Sequence, residues 1–128
     1  VYKRQVHMLG QAVAAYTDAT HGHTLSAVSG AYYRLLIGRS EDAVKRFRRL
    51  ATNVWDIIPT GKTDKEIALE GLERMEAWMR ELGLAMDITA CGADASQLEG
   101  MADACPINES GYVVLTREDV IEVLRQSL

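Results

Sequence analysis

The chain has 128 residues, 48% of them hydrophobic and 25% charged. Such a chain makes one globular domain burying roughly two-thirds of its unfolded surface. A net charge of −4, from 14 basic against 18 acidic residues, excludes the basic face a nucleic-acid domain needs. No apolar run reaches the ~20 residues of a membrane span, and the N-terminus lacks the apolar core of a secretory signal.

Helix signals recur from end to end. Residues 5–15, rich in Ala, Val and Leu, predict one helix, and residues 16–20 a polar break. A second helix is expected from near Gly22 to Leu36, ending before Gly38. Ser40 then stands as N-cap of EDAVKRFRRLATNVWDI, where Val44, Phe47, Leu50, Ala51, Val54 and Trp55 recur at helical spacing. Within it, Lys45, Arg48 and Arg49 form a solvated stripe around buried Phe47. Pro59 and Gly61 break the chain, and Thr63 with Glu66 makes a capping box. The helix it opens carries Ile67, Leu69, Leu72, Met75, Trp78, Met79 and Leu82, and Gly83 stops it. Tyr32, Tyr33, Trp55 and Trp78 are assigned to the core. A short helix over roughly residues 95–104 follows, and Thr116 with Asp119 opens the last, striped by Val120, Val123 and Leu124. Only Tyr112–Leu115 is strand-like, too short to found a sheet. The expected fold is an all-α bundle of six or seven helices, without the βαβ alternation of a dinucleotide-binding fold. Two cysteines, Cys91 and Cys105, make no disulfide framework and point to a reducing cytoplasm.

All three histidines fall within residues 6–26. His7 and His21 stand 14 positions apart, too far to stack on one helix. A helix of about eight residues after His7 climbs about 12 Å. Residues 16–20 span at most about 17 Å, so the turn can return His21 to the level of His7. Convergence is allowed and not required. His21 and His23 point to nearly opposite sides of a helix and cannot share a metal there. By spacing alone, such a pair is more often a surface or hydrogen-bonded pair than a metal site. Two imidazoles also leave a divalent ion short of ligands.

The run HMLGQAVAAYTDATHG, residues 7–22, resembles the metal-binding segment of the iron-containing alcohol dehydrogenases, particularly the butanol dehydrogenase branch of that dehydroquinate synthase-like fold. The resemblance continues through Tyr32-Tyr33-Arg34, ATNVWDI (51–57), GKTD (61–64), LGL (82–84) and GYVVLTRED (111–119), covering residues 6–128. It implies that the chain is the C-terminal helical domain of a larger parent, the start at Val1 being a further hint that residues precede it. VYKRQ, residues 1–5, does not share the resemblance and is set aside as foreign or disordered. The parent's N-terminal domain would bind NAD or NADP, mainly outside this chain. The metal, usually Fe(II) and sometimes zinc, would be held by an aspartate and three histidines, of which the last two correspond to His7 and His21. The substrate would be a small alcohol or aldehyde, and the parent a cytoplasmic homo-oligomer that engages neither nucleic acid nor membrane.

Relatives commonly carry a histidine four positions after the first of these ligands, described as helping the proton path; here that position is Gln11, a pocket amide or a plain polar helix residue. Asp18 either orients an imidazole or caps the next helix. His23 is expected to line the pocket or be exposed without binding metal. Cys105 and Asn108 lie where some relatives place a pocket-lining cysteine, although a small buried thiol explains Cys105 as well. Two other readings compete. One is a non-catalytic helical module for partner binding or self-association, supported by the Met-rich helix. The other is a zinc relative acting on glycerol or a phosphorylated polyol.

Overall fold

The structure, a computed structural model, describes residues 4–128 and is all helical among them. The expectation for residues 1–3 lies outside the described residues. Six α-helices follow in order: α1 (Arg4–Ala14), α2 (His21–Arg39), α3 (Glu41–Val54), α4 (Asp64–Glu81), α5 (Leu98–Asp103) and α6 (Arg117–Gln126). A single 3₁₀ turn, Ala95–Gln97, leads into α5.

The centre is α2. Thr24, Ser26, Ala27, Val28, Gly30, Ala31, Tyr32, Leu36 and Ile37 are all buried, so it has no solvent stripe and must be covered on several sides. Helices α1, α3, α4 and α6 supply that cover. Two main apolar clusters result. One joins Val6, Leu9 and Val13 of α1 to Val28 and Leu36 of α2, Met101 of α5, and Val120 and Leu124 of α6. The other joins Ile37 of α2 to Val44 of α3 and to Ala68 and Leu72 of α4.

The caps sit where local chemistry puts them. Ser40 accepts from the Ala43 amide at 3.3 Å, and Thr63–Glu66 and Thr116–Asp119 both close capping boxes. Gly83, at φ 74°, ends α4 as expected. The Leu84 amide donates to the Met79 carbonyl (3.1 Å) and the Gly83 amide to the Arg80 carbonyl (3.0 Å), which is the Schellman arrangement.

Tertiary contacts correct three expectations. Helix α2 starts at His21 and runs through Gly38 to Arg39, where a 2.7 Å ion pair with Asp119 holds its last turn. The end of α3 falls at Val54, which is exposed; Asp56 takes the left-handed conformation (φ 52°) and the Ile57 amide returns to the Ala51 carbonyl. Trp78 is 47% exposed rather than core, and its ring lies 6.1 Å from that of half-buried Trp55. Tyr112–Leu115, as expected of so short a stretch, founds no sheet, and no strand occurs among the described residues. No described helix is long and apolar enough to cross a membrane.

Candidate metal centre

Helix α1 presents Val6, Leu9, Ala12 and Val13 inward, at intervals that keep one face in the core. His7 therefore falls beside that face and is half-buried. The chain leaves α1 at Ala14, and Thr17 turns its hydroxyl back to donate to the Val13 carbonyl (3.1 Å). Tyr16 lies over Gly100 of α5, where a Cβ would collide with the phenol oxygen. This compact turn delivers His21, exposed, to the first position of α2.

The result is a close approach of the two imidazoles. Their ring centroids are 5.0 Å apart and their planes are tilted by 59°, so they do not stack face to face. Two imidazoles bound to one ion at about 2.1 Å, with bonds about 90–110° apart, place their centroids about 4.6–5.3 Å apart. The observed separation falls inside that range. Imidazole nitrogen is also the donor type that suits iron and zinc. The separation of the two rings is therefore one that a pair of ligands on a single ion can adopt. No group of three or more His, Cys, Asp or Glu able to hold a metal occurs among the described residues.

His23 belongs to a different task. Its Nδ1 accepts a hydrogen bond from the Ala85 amide at 2.9 Å, which leaves the proton of the neutral ring on Nε2. The Ser26 hydroxyl approaches the Ala85 carbonyl at 2.6 Å, so both polar groups of residue 85 are tied to the first turns of α2. The loop after α4 is thereby fixed to the N-terminal turns of α2.

Gln11 lies one turn after His7 on α1 and is exposed. Asp18 is exposed and does not cap α2: the N-cap is Thr20, whose side chain makes no capping bond, and the first turn carries no acidic residue. Cys105 is buried at 6% exposure, and that burial pushes its thiol up to about 11, so it is a neutral packing group. Asn108 is half-buried in the same loop.

One residue of this region was set aside on sequence grounds. Gln5, at 3% exposure, sits inside α1. Its Oε1 accepts from the Asn108 amide at 2.7 Å, and its Nε2 faces the Pro106 carbonyl at 3.4 Å and Cys105 Sγ at 3.7 Å. No local pattern announces a contact between residues about a hundred positions apart, so sequence reasoning had no signal for it.

A family profile described as "Fe-containing alcohol dehydrogenase family, C-terminal" matches residues 2–128. Two proteins of Bacillus subtilis (strain 168), each described as a probable NADH-dependent butanol dehydrogenase, are 34% and 31% identical to the chain over 95% of its length. Among solved structures, NADH-dependent butanol dehydrogenase A from Thermotoga maritima superposes over 96% of the chain with a TM-score of 0.81 at 21% identity. A 1,3-propanediol oxidoreductase superposes over 97% with a TM-score of 0.83 at 13% identity, a likeness of fold. The chain covers 32% of the length of the first Bacillus relative and of both structures, and 31% of the second Bacillus relative.

Proposed function

This chain belongs to the Fe-containing alcohol dehydrogenase family, and we propose that His7 and His21 supply two of the ligands of a catalytic divalent metal in an NAD- or NADP-linked alcohol or aldehyde oxidoreductase. The 5.0 Å approach of the two rings carries this reading. The aspartate, the further histidine and most of the dinucleotide site then lie in the parent outside this chain. In that reading the metal is Fe(II), with zinc the alternative, and this domain is inactive by itself.

When bound, the ion supplies Lewis-acid chemistry, lowering the pKa of the alcohol oxygen so that hydride can leave the adjacent carbon for the nicotinamide. The chain's own residues do the positioning. His7 and His21 would hold the ion through uncharged donors, which do not cancel its charge. The Leu9 and Val13 face of α1, packed against α2, holds the two rings at a set distance. The tie of His23 and Ser26 to residue 85 keeps the first turn of α2 from fraying. Gln11, one turn from His7, has an amide that does not titrate near neutrality. A proton relay at this position would therefore need water or another residue.

The test uses the full-length protein with NADH or NADPH and a short aldehyde. Chelation abolishes turnover, and Fe(II) restores it. His21→Ala lowers turnover by more than the roughly 10–100-fold that changes around a metal's ligands cost. Turnover that survives both treatments contradicts the assignment. The parent is further proposed to be a homo-oligomer, read by light scattering.

A further inference from the structure

The segment between α5 and α6, residues 104–116, has no regular structure, yet Cys105 and Leu115 within it are buried. Backbone groups at such depth need partners. The Asn108 amide finds its partner in the Gln5 side chain, at 2.7 Å. The Asn108 side chain in turn accepts from the Ser110 amide (3.1 Å) and hydroxyl (2.7 Å), closing a tight turn. Next to this turn lies a pocket lined by Met8, Pro106, Ile107, Asn108 and Glu109. Met8 is i+3 from Gln5, on the same side of α1, and immediately follows His7.

We infer that Gln5 is a positioning residue: its buried amide holds the loop 105–108 against α1 and so fixes the width of the pocket that receives the carbon chain of the alcohol. Both ends of the amide are engaged, Oε1 with the Asn108 amide and Nε2 toward the Pro106 carbonyl. A side chain used in both senses sets register as well as distance, which a purely apolar contact does not do. Met8 and Ile107 offer the apolar surface that an alkyl group needs, and Asn108 and Glu109 line the same pocket. The part of this inference concerning the alcohol rests on the dehydrogenase reading; the holding of the loop does not.

The decisive variant is Gln5→Met in the full-length, metal-loaded protein, since methionine keeps the length and volume of the side chain and removes its hydrogen bonds. Gln5→Ala is the second variant. Iodoacetamide labelling of Cys105, read by peptide mass spectrometry against Cys91, is expected to accelerate at least tenfold in both variants. KM for a four-carbon aldehyde is expected to rise fivefold or more, with kcat and bound metal within twofold of the unaltered protein. Unchanged Cys105 labelling in both variants overturns the holding role. Faster labelling with an unchanged KM overturns the role in substrate fit, as does a parallel loss of kcat and metal, which marks general loosening. An unaltered protein that lacks metal-dependent turnover contradicts the proposed function, while the labelling result still decides what Gln5 holds.

Discussion

The two ends of α2 are held in opposite ways. Its C-terminal half is locked: Arg34 forms a two-pronged pair with Glu76 of α4 at 2.5 and 2.6 Å, Arg39 pairs with Asp119, and Ile37 is sealed among α3 and α4. Its N-terminal end has neither a side-chain cap nor an acidic first turn, and it presents His21 to solvent beside His7. Helices α3, α4 and α6 each start with both a cap and acidic residues. An acidic residue at the start of α2 would stabilise the helix end, so this end forgoes a stabilisation that the other three have. One helix thus has an anchored end and an uncapped end, where the proposed ligand His21 stands.

The anchored end is where stability is most easily broken. Glu76 is buried, with its side chain 8% exposed, whereas Arg34 is 42% exposed and can turn to water. Arg34→Met strands the carboxylate and is expected to cost about 3 kcal/mol, the lower end for a severed buried pair. Glu76→Leu should cost less, because the arginine that remains is solvated. Urea denaturation monitored by circular dichroism distinguishes the two, and equal losses would contradict the asymmetry. Next comes the close crossing of α3 and α4. A Cβ on Gly71 would run into Ala51, both side chain and backbone, so the helices must separate to admit one. Gly71→Leu is expected to cost about 1–3 kcal/mol by overpacking, read as a lower melting temperature, with metal content unchanged.

Caps give a smaller and sharper contrast. Thr63→Ala removes a capping box and should cost about 1 kcal/mol, whereas Thr20→Ala, at a cap position with no side-chain bond, should fall near zero. Comparable losses from both would mean that α2 is capped after all. The mildest effect is on acid stability. The Arg39 guanidinium, aided by the Thr116 amide and hydroxyl, holds the Asp119 carboxyl below its ordinary value. Its contribution is therefore complete above about pH 4 and is lost as pH falls through the lower folded value. In Asp119→Asn the acid limb of a stability–pH profile should flatten below about pH 4, with little change in its shape near neutrality.

What the residues announce locally, the structure repeats. Ser40, Thr63 with Glu66, Thr116 with Asp119, and Gly83 all act where their chemistry requires only three or four neighbours. The departures share a cause in distant contacts. Gly38 does not end α2, because the next residue is held by Asp119, some eighty positions away. Trp78 keeps the helical spacing of a core residue but lies on the open side of α4, a distinction that periodicity blurs when apolar residues occupy more than one face. The site divides in the same way. A spacing of 14 residues allows His7 and His21 to meet, but only the packing of α1 on α2 brings their rings to 5.0 Å. The part played by Gln5 lay outside any sequence window, since its partners are in the loop before α6.

The central claim, that the open end of α2 helps to grip a metal, is tested most directly by counting the metal. After dialysis against Fe(II)-free buffer, the full-length protein should retain about one ion per protomer by elemental analysis. His7→Ala and His21→Ala should each retain a tenth of that or less while keeping the helical circular dichroism of the parent. Full metal content in both variants would contradict the account.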